Sequence, residues 1–416
     1  MLLTAETINN IETINNIMRI TTKQALARLQ PQGKAKAKGA LTLELFDTVG
    51  MVEDGIYLFG NSDGGILCPA VDTLPPIIGI WEEQDGEIPP GMLDMLAEYA
   101  NEVEWFERVG EEMESKAPAK AKAKAAPRQN ITTMLTTKWS QKAPYNDMCI
   151  FDGKRCPTGC NATSAAQIMK HWFDIGYHRG CPPTDSYKTS TNGYKVEALP
   201  SKVVFDYKHL VAIPKTTEEK KAVAELMAYL GRTFHSNYTP NGTGATPSKV
   251  AEYLRDKLRM GSLINYITAA KLGLSKFENY IYNDLLQGKP VIVAAWTSSG
   301  AGHSFIIDGY DVQNDLYHVN WGWGGSYNGW FKLTALNANS TYAFNSNKVA
   351  IIGIQPDYKL GDVNGDGEVD IADAMQVVQD ANKGKYSEQA DINNDGQVTV
   401  TDVTLIINHI LGKDTL

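Results

Sequence analysis

The chain has 416 residues, 43% of them hydrophobic and 21% charged, with a formal net charge of −9. That length suits roughly two to four domains with ample core, and the acidic balance argues against a nucleic-acid surface. No apolar run is long enough to span a membrane. The five cysteines (Cys68, Cys149, Cys156, Cys160 and Cys181) form no close metal quartet, and their odd number leaves at least one free or paired outside the chain.

The opening MLLTAETINN lacks the basic segment and apolar core of a signal peptide, so a secreted form would have lost its leader. ITTKQALARLQ reads as a helix capped by Thr21 or Thr22, with Ala25, Leu26 and Leu29 on one face. LELFDTVG, GIYLFGNSDGG and ILCPAV read as short strands with SDGG as a hairpin corner. IPPGMLDMLAEYANEVEWFERVG is helical after its proline pair. This is material for a small α+β domain over residues 1–115, and no histidine precedes His171. Residues 116–129 alternate Lys and Ala between prolines, which fits either a flexible spacer or a processing segment exposing Lys and Arg.

Residues 130–356 carry the chemistry. PTGCNATSAAQIMKHW is a turn followed by a helix, with Thr158 or Asn161 as candidate caps. Cys160 therefore falls in the first turn, where free amides and the helix dipole lower a thiol's pKa. A buried structural cysteine is the bland alternative. Further helices are expected over VAELMAYLGRTFH, SKVAEYLRDKLRM and SKFENYIYNDLLQG. PVIVAAW, HSFIIDGYD, LYHVNWGW, GWFKL and KVAIIGI then predict an antiparallel sheet of about five strands. The domain thus has a helix-rich first half and a sheet-rich second half.

His303, in GAGHSFIIDGYD, can pair with a thiol as imidazolium and thiolate. Asn320 could accept the imidazole proton, and Gln141, beside Trp139, could donate to an oxyanion together with the Cys160 backbone amide. Trp321 or Trp323 is either plain core or a shield over the His–Asn bond. His318 alternates on a strand as a packed or surface residue, and Asp308, a reserve orienter, faces away from His303 on the same strand. His171 lies about 16 Å along the helix from Cys160 and cannot reach the thiol.

These blocks resemble the signatures of the streptopain family of secreted bacterial cysteine peptidases, papain-like in fold, and KWSQKAPYN resembles the block holding the oxyanion glutamine. The resemblance implies Cys160 as nucleophile, His303 as its partner, Gln141 as oxyanion donor and Asn320 as orienter. A tryptophan at Trp321 or Trp323 belongs to the same pattern. ITTKQALARLQ, GIYLFGNSDGG, LPPIIGIW and IPPGMLDMLAEYANEVEW are similar to the family's inhibitory propeptide, although ILCPAVD departs from it. The implied protein is a zymogen, secreted or associated with the cell surface, whose propeptide acts in cis by covering the cleft or, the mode the family favours, by displacing His303. It is freed by cleavage within 116–129 and acts on proteins or peptides. Another thiol acyl-transfer enzyme, such as a transglutaminase or an amidase, and an inert papain-like scaffold are the competing readings.

Residues 357–416 repeat one pattern at a 29-residue offset. Asp362, Asn364, Asp366, Glu368, Asp370 and Asp373 occupy loop positions 1, 3, 5, 7, 9 and 12 of an EF-hand loop. Asp391, Asn393, Asp395, Gln397, Thr399 and Asp402 repeat them, with Gly367 and Gly396 at position 6. Hard oxygen donors at this spacing predict two structural Ca²⁺ ions. Position 12 is Asp instead of Glu, and there is no room for entering helices. The pair resembles a small helical dockerin module, which implies a cohesin-like partner. Ile371-Ala372 and Val400-Thr401 stand where cellulosomal versions carry Ser-Thr.

Overall fold

The computed structural model describes residues 20–33, 44–45, 55–61, 64–72, 74–82, 90–105, 127–177, 181–296, 302–333, 348–356, 359–364, 368–387, 389–393 and 395–413. In chain order the leading segment contributes α1 (Thr22–Gly33), β1 (Glu44–Leu45), β2 (Ile56–Asn61), β3 (Gly64–Pro69), β4 (Gly79–Glu82) and α2 (Pro90–Trp105). Next come β5 (Ile150–Phe151), β6 (Lys154–Arg155), α3 (Cys160–Asp174), β7 (Tyr187–Lys188), β8 (Lys195–Val196), α4 (Thr217–Thr233), β9 (Asn237–Thr239), β10 (Gly242–Gly244) and α5 (Pro247–Asp256). They are followed by β11 (Asn265–Thr268), α6 (Ala269–Leu272), α7 (Leu274–Leu286), β12 (Val291–Trp296), β13 (Gly302–Asp311), β14 (Leu316–Asn320), β15 (Gly329–Phe331) and β16 (Val349–Ile352). The C-terminal part holds α8 (Ile371–Asn382) and α9 (Val400–Ile410). No described helix is long and apolar enough to cross a membrane.

The described residues fall into two compact units. One runs up to Met134 and resumes over 267–350; the other covers 135–266 and everything from Ile351 onward. Most of the predicted helical half of the central region therefore belongs to the second unit, while its last predicted helix, α7, shares the first unit with the sheet. The leading segment, expected as a small domain of its own, shares its unit with the sheet half.

That first unit is built on an antiparallel sheet. The predicted strands from Val291 onward are present as β12 to β16, with β13 between β12 and β14. The sequence gives no hint that the leading strands continue the same sheet, in the order β1-β2-β3-β4-β15-β14-β13-β12-β16-β11. The junction pairs Trp81 with Gly329, Ile80 with Trp330 and Gly79 with Phe331. Gly329 permits it: a Cβ there would meet the Ile80 carbonyl oxygen at 2.2 Å and Trp81 Cα at 2.6 Å. The buried Trp81 ring stacks on Phe331 at 6.4 Å and tilts against Tyr327 at 5.8 Å. Burying a side chain this large contributes about 1.5–3 kcal/mol. From α2, the Tyr99 hydroxyl donates to the Lys332 carbonyl, and buried Glu102 pairs with Lys348 at 3.5 Å. Of the two candidate caps for α1, Thr21 serves, accepting from Gln24 N while Gln24 Oε1 accepts from Thr21 N. Ser62 and Asp63 of the expected hairpin corner, and residues 116–126 of the linker, lie outside the described residues.

The second unit packs α3 against α4. Thr216 and Glu219 close a capping box at the start of α4. Pro247 opens α5, where the missing N–H costs nothing. The glycine-rich YTPNGTGAT between α4 and α5 folds into the β9–β10 hairpin. In the same unit α8 and α9 pack around Leu360, Ala374, Val377, Ala390, Ile392, Val403 and Ile406. A helix follows each repeated loop.

Candidate active site

Cys160 is the first residue of α3, half-buried, and residues 161–170 behind it are buried. The expected cap is absent. Gly159 enters the helix at φ 92° with no side chain bonding the first turn. Thr158 Oγ1 instead meets Thr163 Oγ1 at 2.8 Å, and Asn161 Nδ2 donates to the Ala245 carbonyl at 2.9 Å. Gly159 itself holds the cap position, with Thr158 before it and Asn161 already inside the helix, so neither candidate stands where a cap must. The left-handed turn at Gly159 also brings the backbone against β10, where a Cβ would lie 3.0 Å from the Thr243 carbonyl oxygen.

Gln141 joins Cys160 through the backbone, since Thr158 N donates to the Gln141 carbonyl at 3.1 Å. Its irregular segment is anchored by Trp139, fully buried, with Nε1 donating to the Val211 carbonyl at 3.1 Å. Sequence reasoning missed Gln167. This buried amide on α3 accepts from Thr137 Oγ1 at 2.8 Å and from Trp139 N at 3.4 Å, fastening the segment that leads to Gln141 to the cysteine helix. A polar residue in the small-residue run SAAQIM was the available signal.

The histidine group lies in the other unit. His303 is on β13, paired with Ala295, and its half-exposed ring stacks on Trp323 at 4.8 Å. Trp323 stacks on buried Trp321 at 5.2 Å, and Trp321 packs on Phe305 at 4.7 Å and Phe331 at 5.3 Å. His303 Nε2 lies 2.9 Å from the Trp321 carbonyl oxygen. A carbonyl only accepts, so Nε2 carries the hydrogen and Nδ1 keeps the lone pair in the neutral ring. Asn320, buried at the end of β14, has Oδ1 accepting from Gly322 N at 3.1 Å. Asn328, also missed, accepts from Trp321 N at 3.0 Å. His303, Asn320, Trp321 and Trp323 are thus brought together in one unit, and Cys160 with Gln141 in the other.

His318 and Asp308 form a pair of their own, Nδ1 to Oδ1 at 2.5 Å. Asp308 is fully buried and its Oδ2 accepts from Met134 N at 3.1 Å, so it serves His318 and the incoming chain. The His171 ring packs edge-on against Trp172.

In the C-terminal repeats, Asp373, Asp391 and Asp402 are fully buried and Asp362 nearly so. Asp373 accepts from Val363 N, Asn364 N and Asp370 N, and Asp402 from Ile392 N, Asn393 N and Thr399 N. The position-12 acid therefore also completes the capping box of the following helix. Among the described residues, which exclude Asp366, no group of three or more His, Cys, Asp or Glu is disposed to hold a metal ion. The donor chemistry nonetheless suits a hard cation, because carboxylates buried at 0% exposure need a positive counter-charge.

The sequence model of the Peptidase C10 family matches residues 139–331, and that of the dockerin type I domain matches 360–413. Streptopain of Streptococcus pyogenes is 26% identical over 330 residues, covering 72% of this chain and 81% of that protein. The thiol protease/hemagglutinin PrtT of Porphyromonas gingivalis is 24% identical, covering 81% of this chain and 41% of its own length. A solved fragment of prointerpain A from Prevotella intermedia superposes with a TM-score of 0.62 at 26% identity, covering 76% of this chain and 99% of the fragment. The chain therefore carries a C10-family, streptopain-like cysteine protease domain of α+β papain fold, an endopeptidase acting on protein substrates, followed by a separate dockerin type I module.

Proposed function

We propose that this chain is the zymogen of a secreted or cell-surface cysteine endopeptidase that works through Cys160, His303 and Gln141. The reading rests above all on Cys160 standing at the uncapped start of a buried helix whose lead-in is bonded to Gln141. Thiolate Cys160 attacks the substrate carbonyl carbon, forming the C–S bond and moving the carbonyl π pair to oxygen. Gln141 and the Cys160 backbone amide donate to that oxyanion. His303 protonates the leaving nitrogen as the C–N bond breaks, which leaves a thioester. It then takes a proton from water, whose oxygen attacks the thioester and releases the acid and the thiolate. The Trp321 carbonyl fixes the His303 tautomer through Nε2, while Asn320 shapes the turn that presents this carbonyl. Trp321 and Trp323 hold the ring plane.

In this proposal residues 1–115 are an inhibitory propeptide acting in cis, and cleavage within 116–129 activates the enzyme. The prefix in the name of the solved prointerpain A fragment, and the 76% of this chain it covers, support the reading. Displacement of His303 is the preferred mode of inhibition. Trp81 of the leading segment packs on Phe331, Phe331 on Trp321, and Trp321 supplies the acceptor for the imidazole. The C-terminal module is proposed to take two Ca²⁺ ions through Asp362, Asn364, Asp366, Glu368, Asp370 and Asp373, and through their counterparts Asp391 to Asp402. Calcium would supply charge balance and loop closure there, leaving the peptidase chemistry untouched, and a cohesin-like protein is the proposed partner. Purified Cys160→Ala should lose both casein cleavage and self-processing; retention of either contradicts the assignment of the nucleophile.

A further inference from the structure

Two cysteines that the chemistry does not use face each other. β5 and β6 form a tight hairpin that pairs Ile150 with Arg155 and Phe151 with Lys154. The next rung outward is Cys149 and Cys156, and Cys156 N donates to the Cys149 carbonyl at 2.8 Å. Directly opposed residues on an antiparallel ladder share a face, with Cα atoms about 4.5–5.5 Å apart. Disulfides require about 4.4–6.8 Å. Both side chains are fully buried in one cluster with Phe151, Tyr194, Val196, Ala228 and Tyr238. Neither remaining structural cysteine faces a thiol: Cys68 opposes Tyr57 in the β2–β3 ladder, and Cys181 opposes Val203.

We propose that Cys149 and Cys156 close into a disulfide across the β5–β6 hairpin, clipping the chain that carries Gln141 to the chain that carries Cys160. The position gives the clip its purpose. Asn146 Nδ2 donates to the Cys156 carbonyl at 3.0 Å, and Cys156 is followed by Pro157 and by Thr158, whose amide bonds Gln141. The bond therefore joins the two arms of the loop running from the oxyanion glutamine to the nucleophile. The oxidant is a small disulfide such as glutathione disulfide. One cysteine thiolate attacks it, expelling glutathione thiolate and leaving a mixed disulfide. The second then attacks the protein sulfur and expels the other glutathione. The two cysteine protons end on the two glutathione thiols, and the protein pair is oxidised by the two electrons that glutathione disulfide gains. Burial pushes the Cys149 thiol up to about 11 and raises that of Cys156. Closure therefore belongs to folding, while the hairpin is still open to the oxidant. Once closed, the bond is sheltered from a reductant that keeps the half-buried Cys160 reduced.

The experiment uses the full chain carrying Cys160→Ala, which removes self-cleavage and the competing thiol. The protein is refolded in glutathione buffer, alkylated in denaturant without reductant, and mapped by mass spectrometry. The expected product has lost two hydrogens, leaves only Cys68 and Cys181 alkylated, and yields a crosslinked peptide joining Cys149 to Cys156. Full alkylation, or a crosslink to Cys68 or Cys181, overturns the proposal. A second arm treats the native wild-type chain with mild reductant before quenching. Cys160 should then be labelled while the crosslinked peptide persists, and its loss at that stage refutes the sheltered clip. Neither arm reads peptidase activity, so the outcome is independent of the catalytic assignment.

Discussion

Gly329→Ala tests the junction at which the leading segment joins the catalytic sheet. The added Cβ would sit 2.2 Å from the Ile80 carbonyl oxygen and 2.6 Å from Trp81 Cα. Ordinary contact needs about 3.4 Å or more, so β4 and β15 must part by roughly 1 Å, which stretches ladder bonds beyond useful length. Overpacking of this kind costs about 1–3 kcal/mol, and each ladder bond lost removes about 1 kcal/mol more. A junction of three paired positions should therefore weaken by about 2–3 kcal/mol. Hydrogen exchange on the full chain reads this directly, as a roughly 30- to 150-fold loss of protection at the β4 amides. The β13 and β14 amides should keep theirs, because β14 bonds the other edge of β15. Unchanged protection in β4 refutes the steric argument. An equal loss in β14 refutes the claim that Gly329 serves the junction and not the sheet as a whole.

Three further outcomes follow from residues already placed. Gln167→Met removes the acceptor of Thr137 and Trp139, and should cost about 1–2 kcal/mol in denaturant stability. It should also lower kcat several-fold on casein with KM little changed, whereas an unchanged kcat removes Gln167 from the positioning of Gln141. Glu278 is buried, and that burial, aided by Asp315, raises its carboxyl to about 7 against the lowering pull of Arg128, Lys332 and Lys348. The folded state then holds a proton that the unfolded state has released, so this contribution is present below pH 4.5 and fades as pH rises through about 7. Glu278→Gln should flatten the fall by up to about 3 kcal/mol when urea unfolding at pH 5 and pH 8 is compared, and an identical slope in both proteins contradicts it. Chelation of calcium should abolish exchange protection in 360–413 while casein cleavage by processed enzyme lacking that module is unaffected by EDTA. Loss of that cleavage contradicts a purely structural role.

What could be read from the chain ahead of its fold was whatever local chemistry dictates. Cys160 at a helix start, His303 entering a strand and the twofold Asp-x-Asn loops are short-range patterns, and each sits in the expected element. Three features escaped for identifiable reasons. The acceptor that fixes His303 is a backbone carbonyl, and a carbonyl leaves no trace in residue identity, so Asn320 drew the attention instead. The β9–β10 hairpin has three-residue strands rich in glycine, too short for any alternation to show. The pairing of β4 with β15 joins Trp81 to Gly329 across most of the chain, and edge pairing depends on strand ends that no periodicity records. Helix capping failed differently. Thr158 and Asn161 have the right chemistry, but Gly159 holds the cap position and their side chains bond Thr163 and Ala245 instead.

The β4–β15 junction also has a consequence for the chain that the proposed maturation would leave. A sheet that recruits its neighbour through three residues parts there with little resistance, like a seam, but parting exposes the outer amides and carbonyls of β15. Trp330, which pairs with Ile80 across the seam, would lose that cover. Unpaired edges of this kind template strand addition and self-association. In the uncleaved chain the leading segment covers that edge, and on the proposed maturation a peptidase shorn of it would have to blunt, bury or share the edge to stay monomeric.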